Sequence, residues 1–394
     1  MNTRGVVISD GASDPTLTHL RALDGMRAVA VLAVMGFHLR YIGAGWAGVQ
    51  MFFVLSGFLI TSILIADKHY PLASYLERFY WRRSLRIFPL YFAFIGILGI
   101  VALSYGPSAA FRQQWPYLVT YTFNYRRFLP DYIAQRYWGH LWSLSVEEQF
   151  YLLWPALIYF VPRRALGRLF VTLVVATPLL RFAIEVAFSG RTVGGHPAYW
   201  LIYYVTVCHL DAFACGALVA YTRGSRQVRH PVRLCLLMTA IVLGVGLLHQ
   251  LTIGDAMFLT VGYPWALPFH YQASWGYTIL NLWSATLVIA LLQENWMTRL
   301  FRWRPLAHIG KISYGVYLFH LPILVIAQDQ LNLPLGSRSL EGLFAVALYV
   351  AVTLAVSQVS YVAFERRFLA LKNTRFVRPA RTNVEGPSAV AAGP

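Results

Sequence analysis

The chain has 394 residues, 58% of them hydrophobic and 12% charged, whereas soluble domains carry about 25% charged residues. Such a composition excludes an ordinary water-soluble globule and points to a single polytopic unit with the bilayer as its solvent. A net charge of +17 raises nucleic acid as a partner, but the basic residues are scattered between apolar runs instead of gathered on one face, which excludes that class.

In chain order, residues 1–20 are polar, contain Pro15 and lack an apolar stretch behind a basic start, so they are unlike a cleaved signal peptide. Ten apolar runs follow, near 23–41, 47–66, 87–105, 141–161, 169–188, 199–221, 234–251, 274–292, 310–328 and 340–363, each close to the roughly 20 residues that cross a bilayer. The expected fold is therefore all-α, with about ten transmembrane helices and both termini on one side. Counting Lys and Arg in the connecting segments places twenty-four on that side and six on the other, which assigns the termini to the cytoplasm. The division expected is an N-terminal cytoplasmic segment over 1–20, a membrane domain over 21–370 and a disordered cytoplasmic tail over 371–394. Residues 252–273 hold Pro264 and Pro268 and read as an outer loop or a re-entrant piece. Cys208, Cys215 and Cys235 form no CxxC pair and read as small packing residues, and no His or Cys spacing describes a metal site.

Polar groups inside apolar runs cost several kcal/mol or more, so each marks a candidate site. In the first run Arg27 and His38 stand eleven positions apart, almost three helical turns, which places them on one face about 16 Å apart along the axis. Asp24 lies three residues before Arg27. The segment before the third run carries Arg78, Arg82 and Arg86 at i+4 intervals with Arg83 between, a basic stripe suited to phosphate recognition or to anchoring on anionic lipid. No Walker or dinucleotide glycine pattern accompanies it. The outer stretch 106–140 is long and rich in Trp and Tyr, which fits an interfacial aromatic belt or a sugar-binding surface.

The fourth run begins His140-Leu-Trp-Ser-Leu-Ser-Val-Glu-Glu-Gln. Ser143, Glu147 and Tyr151 share a face at i, i+4 spacing, so Glu147 points inward and Glu148 is expected at the interface. Arg181 and Glu185 form an i, i+4 pair of opposite charge, and Asp211 follows His209 in the sixth run. In the ninth run Ser313, Tyr317 and His320 fall on one stripe, fitting either a substrate contact or a hydrogen-bond network between helices.

Five stretches in order resemble the bacterial acyltransferase family 3, the polytopic enzymes that O-acetylate surface polysaccharides and some antibiotics. They are Leu23 through Arg27 to His38, Gly48 through Gly57 to Ile60, Arg82 to Pro89, Trp142 to Tyr151, and Ile312 to His320. The resemblance implies that Arg27 and His38 are essential, that Arg82, Arg83 and Arg86 serve an acyl-CoA donor, acetyl-CoA foremost, and that Glu147 belongs to the shared motif. Ser313, Tyr317, His320 and Asp211 are the further substrate-binding candidates. No metal is implied. The chain departs from the family pattern at Gln50, where an acidic residue is frequent, and after Glu365, where the usual proline is missing. The hydrolase-like extracytoplasmic domain fused to some members is not expected on this chain.

The implied function is transfer of an acyl group from cytoplasmic acyl-CoA to a hydroxyl of a cell-envelope polysaccharide or glycolipid such as lipopolysaccharide. The implied site is a bacterial inner (cell) membrane, with lipid and a carbohydrate acceptor as partners. In this scheme His38 acts as general base or as covalent acyl carrier, and the sequence leaves both open. Acylation of a small molecule such as a macrolide needs the same donor chemistry. Transport of a glycan or organic acid is the alternative from another class, and no inverted repeat accompanies it.

Overall fold

The computed structural model describes residues 15–106, 108–222, 228–253, 260–268 and 271–372. Two helices open the chain, α1 (Pro15–His38) and the apolar α2 (Ala47–Asp67), joined by a short turn. The long α3 (Leu72–Tyr105) follows, and then an end-cap built from α4 (Ser108–Val119), α5 (Phe123–Arg126) and the loop leading to α6 (Trp142–Phe160). Next come α7 (Arg163–Ala187) and a two-residue antiparallel hairpin of β1 (Thr192–Val193) and β2 (His196–Pro197), in which Thr192 faces Pro197. Beyond it lie α8 (Ala198–Tyr204) and α9 (Leu210–Tyr221), then α10 (Pro231–Ile253) and α11 (Gln272–Leu291). The chain closes with α12 (Trp296–Phe301), α13 (Arg304–Lys311), α14 (Ser313–Asp329), α15 (Leu340–Ser360), a π-turn over Tyr361–Glu365 and α16 (Arg366–Ala370).

The all-α expectation holds. Among the described residues six helices are long and apolar enough to cross a membrane, and eight if the two bent pairs each count as one span. One pair, α8 with the turn and helix over Thr206–Tyr221, bends by 71°, and the other, α13 with α14, by 74°. A helix lies over each of the ten apolar ranges, but two of these helices are too polar to count among the six or the bent pairs. The described part of α1 carries Arg21, Asp24 and Arg27, and α6 carries Glu147, Glu148 and Gln149. Residues 1–14 and 373–394, which include most of both expected cytoplasmic ends, lie outside the described residues. Part of 252–273 does as well, and between the end of α10 and the start of α11 the described residues 260–268 run as turns that tuck inward: Trp46 Nε1 donates to the Tyr263 carbonyl (3.0 Å) and Tyr263 donates to the Val242 carbonyl (2.9 Å).

Burial sorts the helices into an inner and an outer set. In α2 and α11, 61% of the most apolar stretch is buried, against 17% in α7 and 22% in α10, which leave Leu179, Leu247 and Leu251 exposed as a lipid-facing belt. The inner pair α2 and α9 approach closely because glycines meet there. A Cβ on Gly216 would lie 1.9 Å from the Val54 carbonyl oxygen, and one on Gly57 2.1 Å from that of Phe213. Small residues at such crossings let backbones touch where lipid supplies no hydrophobic drive.

The structure pairs Arg181 differently from its i, i+4 spacing. Its guanidinium holds Asp211 of α9 at 3.0 and 2.8 Å and Thr278 of α11 at 2.5 Å, with Arg181 and Asp211 side chains fully buried. Glu185 instead accepts from Ser274 at 3.2 Å. A guanidinium buried alone would cost several kcal/mol, so the buried Arg181 needs the carboxylate that Asp211 presents in fork geometry, whereas a surface i, i+4 pair with Glu185 is worth little.

Candidate functional site

Helices α1, α2, α3, α6 and α14 surround a cavity of about 810 Å³, its mouth included. Its charge comes from three arginines and two carboxylates: Arg27, Arg83, Arg86, Glu147 and Glu148. The i, i+4 face read in α6 is realised, since Ser143, Glu147 and Tyr151 all line the cavity. Glu147 accepts hydrogen bonds from the Ser56 and Tyr151 hydroxyls, and those two hydroxyls lie 3.1 Å apart. Contrary to its expected interfacial position, Glu148 also lines the cavity, because α3 and α14 pack over the neighbouring face of α6 and cover both carboxylates.

On α1, Arg27 is paired with Asp24, as its i−3 spacing predicts, while lining the cavity. The basic stripe of α3 splits. Arg83 lies 4.5 Å over the Tyr151 ring and joins Arg86 in the wall, whereas Arg82 turns toward Asp67 at the end of α2, 3.8 Å away, and Arg78 sits 4.5 Å over the Tyr70 ring. The helix thus sends an i, i+3 pair into the cavity where i, i+4 spacing selects Arg82 with Arg86. One more cation stands at this end. Lys372, just beyond α16, is pushed down to about 7 by burial and then by Arg86, Arg83, Arg27 and Arg82. Trp81 of α3 donates to the carbonyl of the preceding Leu371 at 3.4 Å, which holds the end of α16 against α3.

Away from the arginines the cavity wall is α14. Ser313 and Tyr317 line it, and the Tyr317 hydroxyl bonds Ser143 and donates to the His140 carbonyl at 3.0 Å. The Tyr317 carbonyl in turn contacts His320 Nδ1 at 2.6 Å. His320 faces His38, their ring centres 5.3 Å apart, and His140 closes the group with its ring 5.0 Å from that of His320. His140 and His320 are buried, and Nε2 of His320 makes no hydrogen bond. His38 does not line the cavity itself; it belongs to this imidazole layer next to Tyr317. The stripe Ser313, Tyr317, His320 therefore spans both parts, two hydroxyls on the cavity and one imidazole against His38.

Asp211 stands apart, in its ion pair with Arg181. Gln50 likewise serves packing, with Nε2 3.2 Å from His209 Nδ1. The sequence reading passed over Ser56, His140 and Lys372. Ser56 sits in an apolar run, and its place in the Gly48 to Ile60 stretch was the available signal. His140 precedes the Trp142 to Tyr151 motif, and its position just before a span was the available signal. Among the described residues no group of three or more His, Cys, Asp or Glu could hold a metal ion.

This arrangement can bind an anion at Arg83 and Arg86, admit an extended apolar arm past Val49, Phe52 and Leu55, and present hydroxyl and imidazole groups at the far wall. Comparison with known proteins agrees with that chemistry. The model of an acyltransferase domain matches residues 20–362. The O-acetyltransferase OatA of Staphylococcus aureus (strain MRSA252) is 25% identical over 393 residues, covering 91% of this chain and 60% of that protein. The peptidoglycan O-acetyltransferase OatA of Listeria monocytogenes is 26% identical, covering 87% of this chain and 54% of its own length. The putative peptidoglycan O-acetyltransferase YrhL of Bacillus subtilis is also 26% identical, with 88% and 54% covered. The chain thus spans rather more than half the length of these relatives. No solved structure matches it. With the family model covering most of its length and its motifs gathered around one cavity, the chain belongs to the acyltransferase 3 family.

Proposed function

We propose that this protein is a multi-pass O-acyltransferase of the bacterial cell membrane that moves an acyl group, acetyl foremost, from cytoplasmic acyl-CoA to a hydroxyl of a cell-wall polysaccharide. The observation that carries the reading is the polarity of the cavity, with Arg83 and Arg86 in one wall and Tyr317 leading to His38 and His320 at the other. The names of the relatives support acetyl as the group and peptidoglycan as the acceptor. The surplus of Lys and Arg in one set of connecting segments supports the donor entering from the cytoplasm.

In this scheme Arg83 and Arg86 hold the donor phosphates, with Arg82 and Lys372 adding to the field at the entrance. Arg27 balances negative charge that develops on the thioester carbonyl. His38 takes the proton of the acceptor hydroxyl as the new C–O bond forms, and returns it to the sulfur as the C–S bond breaks. His320 orients His38, and Glu147 keeps the Ser56 and Tyr151 hydroxyls turned toward itself, which shapes the channel for the arm.

The deciding measurement uses the full chain in lipid nanodiscs with radiolabelled acetyl-CoA and a cell-wall fraction. His38→Ala is expected to lower transfer by about 10² to 10⁴, the usual worth of a general base, while CoA binding stays as in the wild type. Wild-type protein that neither binds CoA nor labels any wall fraction would overturn the reading.

A further inference from the structure

A thioester arm that enters past Arg83 and Arg86 carries its acyl group at the tip, so the acyl group is the part that meets the opposite end of the cavity. That end is made by Phe52 of α2, Ser143 of α6 and Tyr317 of α14. Helical rise fixes its place. Phe52 lies four residues, about 6 Å, before Ser56 on α2, and Ser143 lies eight residues, about 12 Å, before Tyr151 on α6. Ser56 and Tyr151 share the Glu147 carboxylate, and the Arg83 guanidinium stands 4.5 Å over the Tyr151 ring. Phe52 and Ser143 are therefore at the end away from the arginines.

The two rings at this end differ in what holds them. Tyr317 is buried and pinned, its hydroxyl bonded to Ser143 and donating to the His140 carbonyl (3.0 Å). Phe52 meets it edge to face, ring centres 6.3 Å apart and planes at 69°. A phenyl ring carries no hydrogen bond, so its bulk can be cut back without unpairing a polar group.

The imidazole layer lies alongside the pinned ring, with the centres of His320 and His140 at 5.5 and 5.3 Å from that of Tyr317. Only a thioester carbonyl carried up to this level comes beside the layer that holds His38. The acyl chain is the spacer between that carbonyl and the end wall, and each added methylene holds the carbonyl back by its own length. A displacement of about 1 Å from the reacting position can cost about 10²-fold in rate.

We infer that Phe52 sets the length of the acyl group: backed by the fixed Tyr317, its ring fills the space a longer chain would need and confines the donor to acetyl-CoA. The inference rests on the acyltransferase reading and deepens it by naming the residue that selects the donor.

The test compares kcat/KM for acetyl-, propionyl- and butyryl-CoA, with the full chain in nanodiscs and a cell-wall fraction as acceptor. The wild type is expected to prefer acetyl over propionyl by about tenfold or more, the worth of one methylene in a fitted pocket. Phe52→Leu is expected to level those two donors, and Phe52→Ala to make butyryl-CoA the best of the three, with affinity for free CoA as in the wild type. Leu59 also lines the cavity, two helical turns further along α2 toward the Asp67 end, and Leu59→Ala is expected to keep the wild-type order of donors. A wild type that uses butyryl-CoA as readily as acetyl-CoA would overturn the inference. So would Phe52 variants that slow all three donors by one factor, or a Leu59→Ala variant that shifts the order as far as Phe52→Ala does. Wild-type protein inactive with every donor counts against the acyltransferase reading itself, whereas acetyl transfer with an unchanged order in the Phe52 variants counts against this inference alone.

Discussion

Lys372 is the residue at which a single charge reports on the site. It lies past the end of α16, outside the apolar span, and burial first, then the arginines around it, push its ammonium down to about 7. An anion bound beside those arginines reverses that field and raises the value, so binding takes up a proton. The benefit is complete below pH 7 and fades as pH climbs above it. CoA affinity of the wild type is therefore expected to fall between pH 6 and pH 9 more steeply than that of Lys372→Met, with the variant about tenfold weaker at pH 6 and level with the wild type at pH 9. Parallel profiles for the two proteins would remove Lys372 from the donor site. At the same scale, spacing identified Arg27, His38, Glu147 and Tyr317 because each is polar on an otherwise apolar face. It failed for Glu148, because which of two adjacent carboxylates is covered depends on the helices packed over α6, and both proved to be.

Helix α2 shows what packing asks of an element. Its contact with α9 runs through Gly57 and Gly216, where an added methyl group would enter the backbone of the other helix. Gly216→Ala is expected to cost about 1–3 kcal/mol, read as a lower midpoint of thermal unfolding in detergent. Gly244 of α10 is the contrast, since nothing lies within 4 Å of a Cβ there. Gly244→Ala is expected to be neutral or to stabilise by up to about 1 kcal/mol through helix propensity. The apolar stretches of these elements were legible in the chain because lipid imposes length and composition on anything that crosses it. The splitting of the α3 arginine stripe was not, because Arg82 turns toward Asp67 on a different helix.

Across the whole molecule the fully buried pair Arg181 and Asp211 fastens α7, α9 and α11 together, with Thr278 and the carbonyls of Cys208 (2.6 Å) and Ser274 (3.3 Å) also accepting from the two terminal guanidinium nitrogens. Asp211→Ala leaves the guanidinium buried without its counter-charge, and the expected loss is about 3–5 kcal/mol. Replacing both partners by apolar residues, Arg181→Met with Asp211→Leu, is expected to lose much less, and thermal unfolding of the three proteins decides it. CoA affinity of the folded double variant is expected to match the wild type, since the pair stands outside the cavity.

By itself the sequence determined the class of solvent, the apolar ranges, and the face that Arg27 shares with His38. All three follow from composition and helical period, which act locally along one chain. The family resemblance followed as well, because its motifs are contiguous stretches. Only the tertiary structure decided that Arg83 and not Arg82 joins Arg86 in the cavity, that Arg181 holds Asp211 and not Glu185, and that His38, His320 and His140 form one layer. Those outcomes depend on which helix faces which. In a bilayer that choice is made by close packing at small residues and by the need to pair every buried charge, and neither is visible in the period of any single helix.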